Sequence, residues 1–499
     1  MVKNSPYSVM SAEEAAGFVK HGDTLAFSGF SPAGSAKVVP TALAEYVQEI
    51  HGRGKPFKLR VLTGASSGCS IDHLLAQAGA IEWRAPYQAE TFLRHQINNE
   101  KVEYVDMHLS HLPQAVSFGF FGKIDLAVIE ATEITPDGRV YLTSSIGASP
   151  TYLKYADKVI IELNRSQSPR LREFADIVMM PSPPNRSPVP IFEPCSRIGW
   201  PYATVDPQKV IAVVESNEPD YVADFSPPDA ISRKIADHVV RFLFKEKQAN
   251  RIPPGFLPMQ AGVGNIANGV LAVLGEDTDI PSFTMYSEVF QDAMVDLMLA
   301  GKLTGASATS LTVSSKRMQA IYDDFDFFAS RIVLRPQEIS NHPGVIRRLG
   351  VIAMNTVIEA DIYGNANSSH ICGMDVMNGV GGSGDFTRNS YLSILMTPSI
   401  AKNGRISAIV PMCPHIDNNE HSVQVIVTEQ GLADLRGLGP AQRAREMINQ
   451  CAHPMYREYL ERYVIESRGG HIRHDLARCF ELHRNLMEYG SMLPETAIG

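Results

Sequence analysis

Short runs of apolar, often β-branched residues recur along the chain and are separated by stretches with helical periodicity. Uninterrupted apolar runs predict strands that are buried on both faces, and helices between such strands predict a mostly parallel sheet. The pattern therefore predicts an α/β fold. The clearest runs lie at residues 24–27, 59–62, 126–129, 159–161 and 210–214.

Three stretches carry helix signals. Ser11-Ala12-Glu13-Glu14 has the form of a capping box, and Gly22 is the predicted end of that helix. Apolar residues at helical spacing predict an amphipathic helix over residues 38–50. The same spacing after Gly264 predicts a helix that ends at Gly275, because glycine commonly follows the last helical turn.

The second half of the chain repeats the pattern of the first. Val128-Ile129-Glu130-Ala131 resembles Val357-Ile358-Glu359-Ala360, and the turns at Ser28-Gly29 and Ala261-Gly262 each follow an apolar run and precede a helix. A degenerate internal duplication of this kind predicts two related open, mostly parallel α/β domains.

The length of 499 residues also favours two domains, each able to bury its own core. A polar stretch that contains proline, at 220–228, is the predicted connection. The predicted domains are residues 1–220 and residues 221–499, and the second carries the candidate chemistry.

Composition limits the classes of function. A net charge of −9 without a basic stripe argues against nucleic acid as a partner. No apolar segment approaches the roughly 20 residues that a membrane span requires, and the first residues resemble neither a signal peptide nor a transit peptide. The six cysteines are scattered, which predicts reduced thiols. A cytoplasmic enzyme is expected.

The turn Gly262-Val263-Gly264-Asn265-Ile266-Ala267 follows an apolar run and opens the third predicted helix. Its backbone N–H groups would point at whatever lies on the turn, as in an anion site. It also matches a dinucleotide fingerprint, with Glu288 about 20 residues further on as the ribose ligand. A simple strand-to-helix turn is the third interpretation.

A second glycine loop covers residues 378–386 and has four glycines within six positions. Such density permits close backbone approach to a bulky ligand and can form an anion-binding nest. The loop lies far from any position at which a dinucleotide-binding fold would place its fingerprint. This favours a functional role other than dinucleotide binding.

Glu288 is the candidate nucleophile. Its neighbours Phe283, Met285, Val289 and Phe290 are apolar, so its carboxylate is expected at the rim of a core. A carboxylate there could form a covalent intermediate while a nearby glycine turn stabilises the developing oxyanion.

Two further candidates are weaker. Lys402 could pair with a phosphate or a thiolate, although a lone lysine before a strand is usually surface. His415, Asp417, Glu420 and His421 suggest metal ligands, but they lie in a polar run without helical spacing, and we expect no metal. The chain has neither a Gly-x-Ser-x-Gly elbow nor a Walker A sequence.

The motifs together resemble the acetyl-CoA hydrolase/transferase family of class I CoA-transferases. The resemblance extends over essentially the whole chain, and it implies two related open α/β domains with the active site between them. It is carried by four segments: Gly262-Val263-Gly264-Asn265-Ile266-Ala267, Tyr286-Ser287-Glu288-Val289, residues 378–386 and residues 428–437.

The resemblance implies roles for individual residues. Glu288 would become a glutamyl-CoA thioester, and N–H groups at Val263 and Gly382 would form the oxyanion hole. Asn341 and Glu429 match positions near the reacting centre. The residues implied to bind CoA are Val263, Gly264, Asn265, Ile266, Ala267, Asn378, Gly382 and Lys402.

The implied function is transfer of CoA between a short-chain acyl-CoA, such as propionyl-CoA or acetyl-CoA, and a carboxylate such as succinate. Coenzyme A would be a substrate, with no tightly bound cofactor, and the enzyme would form a homodimer. Acetyl-CoA hydrolysis and succinyl-CoA:acetate transfer use the same site, and an NAD-dependent oxidoreductase is the distant alternative. Some acetate-using relatives carry an arginine in the loop at 220–226, where this chain has none. The group that anchors the acceptor carboxylate is therefore unassigned.

Overall fold

A computed structural model describes residues 6–222, 228–277 and 279–493. A nine-stranded sheet forms the first half of the chain. Its parallel strands follow the order β4-β3-β2-β1-β5-β7-β9. β6 pairs antiparallel with β5, and β8 pairs antiparallel with β6. The strands are β1 (Thr24–Phe27), β2 (Leu59–Leu62), β3 (Ile81–Ala85), β4 (Glu103–Tyr104), β5 (Ile124–Ile134), β6 (Arg139–Leu142), β7 (Ala156–Asn164), β8 (Ala203–Thr204) and β9 (Val210–Ser216).

Helices connect these strands and cover the sheet. They are α1 (Ala12–Ala16), α2 (Val38–Gly52), α3 (Leu74–Gln77), α4 (Thr91–Asn98), α5 (Leu112–Ser117) and α6 (Ser149–Tyr155). A π-helical turn at Cys69–His73 precedes α3, and 3₁₀ turns lie at Pro169–Glu173 and Pro207–Lys209.

An eight-stranded sheet forms the second half, in the order β15-β13-β11-β10-β16-β21-β25-β26, and only β26 is antiparallel to its neighbour. The strands are β10 (Met259–Ala261), β11 (Phe283–Tyr286), β12 (Val289–Phe290), β13 (Leu303–Ala308), β14 (Ser310–Leu311), β15 (Ile332–Leu334), β16 (Ile352–Thr356), β17 (Glu359–Asp361), β18 (Ala366–Asn367), β19 (His370–Ile371), β20 (Asp375–Val376), β21 (Leu392–Met396), β22 (Ile400–Ala401), β23 (Ile406–Ser407), β24 (Ile409–Val410), β25 (Val425–Thr428) and β26 (Gly431–Asp434). Strands outside that order pair in small two- and three-stranded sheets.

The helices of the second half are α7 (Ala230–Gln248), α8 (Asn265–Glu276), α9 (Asp292–Leu299), α10 (Ser315–Asp323), α11 (Phe325–Ala329), α12 (Gln337–Ser340), α13 (Pro343–Leu349), α14 (Ser383–Asn389), α15 (Pro440–Gln450), α16 (Pro454–Glu466) and α17 (Glu481–Tyr489). Among the described residues, no helix combines the length and hydropathy needed to cross a bilayer. All six cysteines are free.

The two sheets share one topology. In each, the second, third and fourth strands follow one another on one side of the first strand, and the fifth strand lies on its other side. This is the doubly wound arrangement, and ligands bind at its switch point, beyond the carboxyl ends of the first and fifth strands. The predicted α/β class with two related sheets is confirmed. The domain bounds 1–220 and 221–499 remain a prediction, because residues 223–227 lie outside the described ranges.

Two predicted helix ends are wrong. The first helix ends at Ala16 and is capped by Gly17, and Gly22 instead donates its N–H to the Lys58 carbonyl at 2.8 Å in the turn before β1. Gly275 lies inside α8 rather than after it. A Cβ at Gly275 would meet the Leu297 side chain of α9 at 2.5 Å, so close packing of the two helices accounts for this glycine.

A buried ion pair joins the two halves. Arg335, after β15, donates to the Asp176 carboxylate of the first half, and both side chains are almost completely buried. Arg335 also donates to Ser307 Oγ at 2.8 Å and to the carbonyls of Pro194 and Ser196 at 3.0 and 2.5 Å. The guanidinium is therefore well satisfied, which a charge in this position requires.

Replacement of Arg335 by methionine leaves the Asp176 carboxylate buried without its partner. We expect Arg335→Met to lower the free energy of unfolding by about 3–5 kcal/mol, measured by denaturant titration. The control is Arg170→Met, which removes an exposed ion pair with Glu173 and is expected to change little. Equal stabilities for the two variants would contradict the role of the buried pair.

Candidate active site

Glu288 lies at the carboxyl edge of the second sheet, between β11 and β12. The neighbouring segment after β13 fixes its backbone. Ser287 donates its N–H to the Ser307 carbonyl at 2.8 Å, and Thr309 donates to the Glu288 carbonyl at 2.8 Å. Inter-strand hydrogen bonds on both sides of Glu288 leave its backbone little freedom, so the direction of its side chain is set by the sheet.

The carboxylate is held by two contacts. Asn341 Nδ2 donates to Glu288 Oε1 at 3.2 Å, and Ser340 Oγ donates to Asn341 Oδ1 at 2.9 Å, which orients the amide. On the other side lies the backbone of Gly382, where an added Cβ would be 2.6 Å from Glu288 Oε2. The second glycine loop therefore packs directly against the candidate nucleophile, as close approach of backbone requires glycine.

Two other glycines of that loop contact the first half of the chain. A Cβ at Gly379 would lie 2.5 Å from Asp106 Oδ1 and 2.6 Å from the Tyr104 hydroxyl, and one at Gly384 would overlap the ring of His108. Three of the four glycines thus have a steric reason to be glycine. The density of glycine in 378–386 reflects tight packing on both sides of the loop.

Hydrogen bonds fix the loop to the segment that follows β4. Val380 donates its N–H to both Asp106 carboxylate oxygens at 2.9 Å, and Leu109 donates to the Gly381 carbonyl at 3.4 Å. Ser110 donates through its N–H and hydroxyl to Asp385 at 3.1 and 2.7 Å. The position of Gly382 against Glu288 therefore depends on contacts between the halves.

A cavity of about 830 Å³ opens at this junction, and Glu288, which is half-buried, lines it. The volume lies within the range of ligand pockets. The second half contributes the turn after β10, the end of β16 and the second glycine loop. The first half contributes the turn after β1, the π-helical turn and the start of α4. The site therefore lies at the switch point of the second sheet, as the topology predicts.

Burial raises the pKa of Glu288 to about 7. The hydrogen bond from Asn341 opposes this shift, and the negative charge of Asp385 adds to it. A carboxylate with this pKa is more basic than an ordinary glutamate and is still substantially ionised at neutral pH. Both properties suit a nucleophile.

The sequence analysis missed Tyr87, which lines the cavity, and Asp106, which holds the second glycine loop in place. Burial, together with the charges of Glu288 and Asp106, raises the pKa of Tyr87, so its phenol stays neutral. Burial likewise raises the pKa of Asp106 to about 7. Neither residue belongs to a glycine turn or an apolar run, and both reach the site from the first half through packing that no local pattern encodes.

The first glycine turn forms the opposite wall of the cavity. Gly264 has φ +124°, a conformation that favours glycine, and Val263 lines the cavity with 52% of its surface exposed. Asn265, Ile266 and Ala267 begin α8, and Ala267 is buried. Within the described ranges, the N–H groups of Val263 and Gly382 donate no hydrogen bond to the protein. They are free to bind an oxyanion.

Asn378 also lines the cavity, and its amide donates to the Gly379 carbonyl at 2.8 Å. Lys402 does not line it. That lysine is exposed, with φ +47°, in the turn between β22 and β23. The structure therefore brings Asn378 to the cavity and leaves Lys402 at the surface.

Glu429 follows β25, at the same edge of the sheet as Glu288 but four strands away, a separation of about 19 Å at the usual strand spacing. Ser399 donates to it through its N–H at 2.7 Å and its hydroxyl, and Gln430 donates at 2.9 Å. Burial alone would raise the pKa of Glu429, but these hydrogen bonds outweigh it and lower the pKa. A place for Glu429 near the reacting carboxylate stays a prediction.

The polar run considered for metal binding serves as a hydrogen-bond network. His415 Nε2 lies 3.1 Å from Asp417 Oδ1, and Asp417 also accepts hydrogen bonds from Ser368 and Ser369. Across the described ranges, no group of three or more histidine, cysteine or acidic side chains has a metal-binding arrangement.

Two family models match the chain. The acetyl-CoA hydrolase/transferase N-terminal domain matches residues 1–215, and the C-terminal domain of the same family matches residues 318–464. The chain therefore belongs to the acetyl-CoA hydrolase/transferase family. The family and the CoA-transferase class predicted from its motifs are confirmed.

Curated relatives match almost the entire chain. It is 57% identical to the propanoyl-CoA:succinate CoA transferase of Escherichia coli strain K12, over 97% of this chain and 98% of that protein. It is 44% identical to the succinyl-CoA:acetate CoA-transferase of Clostridium kluyveri, over 97% of this chain and 90% of that protein. These relatives do not support the NAD-dependent oxidoreductase that the first glycine turn left open.

Among solved structures, RipA from Yersinia pestis is similar at a TM-score of 0.68 and 22% identity, over 91% of this chain and 96% of that chain. A likeness at this identity concerns the fold alone. It supports the two-sheet α/β architecture.

Addition of one methyl group at Gly382 should disable the site. The Cβ of Gly382→Ala would lie 2.6 Å from both Glu288 Oε2 and Asn341 Nδ2, so the carboxylate must move. Because a displacement of about 1 Å can cost about 100-fold in rate, we expect kcat for acyl-CoA turnover to fall at least that far. Gly255→Ala is the control, since nothing lies within 4 Å of its Cβ. Full activity in Gly382→Ala would contradict the role of this contact as a constraint on Glu288.

Activity should follow the ionisation of Glu288. Only the ionised carboxylate attacks, so kcat/KM for acyl-CoA should rise with pH to a plateau above about 7 and fall about tenfold per unit below it. Asn341→Ala removes a hydrogen bond that lowers the pKa of Glu288, so the midpoint should move to higher pH. A midpoint near 4.5 in the native enzyme would contradict the burial of the nucleophile.

Proposed function

We propose that this enzyme transfers CoA between a short-chain acyl-CoA, with propionyl-CoA as the favoured donor, and a carboxylate acceptor, with succinate as the favoured acceptor. The transfer is ping-pong and passes through a thioester of CoA with Glu288. One observation carries the proposal: a glutamate with a raised pKa lines a cavity between two glycine turns whose N–H groups have no partner among the described residues. The relative named propanoyl-CoA:succinate CoA transferase supports the choice of substrates.

The first half-reaction has two steps. A Glu288 carboxylate oxygen attacks the acyl carbonyl carbon, the carbon–sulfur bond breaks, and CoA leaves as the thiolate, which gives a mixed anhydride. The thiolate then attacks the Glu288 carbonyl carbon of the anhydride and releases the first acid as its carboxylate. The product is glutamyl-CoA, and the energy of the thioester is conserved.

The second half-reaction reverses these steps with the other acid. A succinate oxygen attacks the glutamyl-CoA carbonyl, the thiolate leaves, and the thiolate then attacks the succinyl carbonyl of the new anhydride. Succinyl-CoA departs and Glu288 returns as a carboxylate. No net proton is taken up or released, so the site needs no general acid, and the neutral phenol of Tyr87 fits this requirement.

The tetrahedral oxyanions form between the two glycine turns. Gly382 packs against the Glu288 carboxylate, and Val263 lines the same cavity, so their N–H groups are the proposed donors. Each such donor contributes about 3 kcal/mol to transition-state stabilisation. Asn341 orients the nucleophile and gives up its hydrogen bond as the carboxylate becomes an ester-like carbonyl.

A carboxylate is a weak nucleophile and must be held in contact with the carbonyl carbon. The binding energy of the remote part of CoA holds the two groups together. The start of α8, with Gly264, Asn265, Ile266 and Ala267, is the proposed surface for CoA, together with Asn378. Lys402 remains a candidate contact for CoA, and Glu429 remains a candidate near the reacting centre. The homodimer and the cytoplasmic location belong to the proposal as well.

Hydrolysis is the second candidate function. The family includes hydrolases by name, and the half-exposed Val263 leaves the mouth of the cavity open to solvent. Water would then attack glutamyl-CoA in place of the second acid. Release of free CoA that outpaces acyl exchange in the presence of succinate would identify the hydrolase.

The covalent intermediate can be detected directly. After incubation with propionyl-CoA, we expect intact mass spectrometry to show an added CoA less one water, mapped to Glu288 and absent in Glu288→Ala. Glu338→Gln is the matched control, because burial also raises the pKa of Glu338 to about 7, yet that residue does not line the cavity. Its adduct should form as in the native enzyme. Failure to detect an adduct at any substrate concentration would remove the covalent mechanism.

A further inference from the structure

The cavity around Glu288 contains one strongly basic side chain. Of the lysines and arginines in the described ranges, only Arg94 lines it. His73 is the other basic residue there, and its Nδ1 lies 2.9 Å from Glu90 Oε1. The loop at 220–226 contains no arginine. A cation at the site would stabilise the second carboxylate of a dicarboxylic acid. Arg94 is the candidate for that cation.

Arg94 is poorly satisfied by the protein. It donates from Nη2 to the Ala89 carbonyl at 3.1 Å, but its Nε is buried and has no partner among the described residues. It also forms no ion pair within those ranges. Glu90, the N-cap residue of α4, is engaged instead with His73 and with the Leu93 N–H at 2.7 Å. A buried donor without a partner costs free energy unless a ligand completes it.

The helix that carries Arg94 is fixed to the opposite wall of the cavity. Asn98 donates to the Val376 carbonyl at 3.0 Å and accepts from the Val376 N–H at 2.9 Å. Arg94 and Asn98 are four residues apart and share one face of α4. That face is directed at the segment in which Met377 and Asn378 line the cavity. The hydrogen bonds between Asn98 and Val376 therefore fix the helix that places Arg94 at the cavity.

Tyr87 is influenced by the charges of both Arg94 and Glu288. Its ring lies against the second glycine loop, 3.4 Å from where a Cβ on Gly381 would be. The charge of Glu288 raises the pKa of Tyr87, and the charge of Arg94 lowers it. Both charges thus act on one phenol.

We propose that Arg94 binds the distal carboxylate of a dicarboxylic acid, or of its acyl-CoA, and so makes this site favour dicarboxylate over monocarboxylate acceptors. The inference rests on the proposed function. In succinate, three carbon–carbon bonds place the distal carboxylate carbon about 4 Å from the reacting carbon. A guanidinium can hold that carboxylate with two parallel hydrogen bonds, and Nε would then gain the partner it lacks.

A phosphate of CoA offers similar oxyanion chemistry, and the two sources predict different kinetics. CoA takes part in every reaction of the enzyme, so a phosphate contact would affect all acceptors equally. A distal carboxylate is present in succinate and absent from acetate and propionate. The comparison of acceptors therefore separates the two ligands.

The test uses Arg94→Gln and Arg94→Lys in the full-length enzyme, with Arg53→Gln as the control at an exposed arginine of the first half. With propionyl-CoA as donor, kcat/KM for succinate should fall at least about 100-fold in Arg94→Gln, and that for acetate should change less than about threefold. Arg94→Lys should recover part of the succinate activity. Formation of the Glu288 adduct should slow with succinyl-CoA and not with propionyl-CoA.

Equal losses for succinate and acetate in Arg94→Gln would overturn the inference and indicate a phosphate contact or a structural role. Unchanged succinate kinetics would overturn it as well. If the native enzyme transfers CoA to acetate but not to succinate, the proposed acceptor itself is wrong, and this result is obtained before any variant is made. The two failures are therefore distinguishable.

Discussion

The close approach of the Gly382 backbone to the Glu288 carboxyl is the constraint on which the rest of the site depends. The same loop meets the first half of the chain through Gly379 and Gly384, at positions where any side chain would overlap Asp106 or His108. The loop can therefore touch the nucleophile only if the two halves are correctly packed. The buried pair of Arg335 and Asp176 stabilises that packing away from the site. The geometry around Glu288 therefore depends on the packing between the two halves.

Burial gives Glu288 the raised pKa that its proposed role as nucleophile requires. A fully solvated glutamate would be ionised but weakly nucleophilic, and a dry one without hydrogen bonds would be protonated. The single hydrogen bond from Asn341 counteracts burial and the charge of Asp385, and the pKa settles at about 7. The carboxylate is then near its most basic value that still leaves it ionised in neutral solution. A second strong donor to the carboxylate would lower the pKa of Glu288 and make the carboxylate a weaker nucleophile.

Local patterns were enough to predict part of the fold and of the site. The apolar runs predicted the strands, and glycine at Gly264 and Gly382 pointed to turns where backbone must approach a ligand or adopt positive φ. Tyr87 and Arg94 could not be found in this way, because they reach Glu288 through packing between distant segments. Lys402 and Glu429 were assigned to the site by motif alone. A motif does not show how far apart residues that follow different strands of one sheet lie.

The duplication explains why only one half carries the chemistry. In the first half, the Glu162 carboxylate accepts hydrogen bonds from the N–H groups of Lys37, Val38 and Val39, so the start of α2 is filled from within. The corresponding start of α8 has no side-chain cap, and the turn before it lines the cavity. A helix start without an internal anion favours an external one. One carboxylate therefore fills the anion site at the start of α2, whereas the start of α8 lacks a side-chain cap and is the surface proposed for CoA.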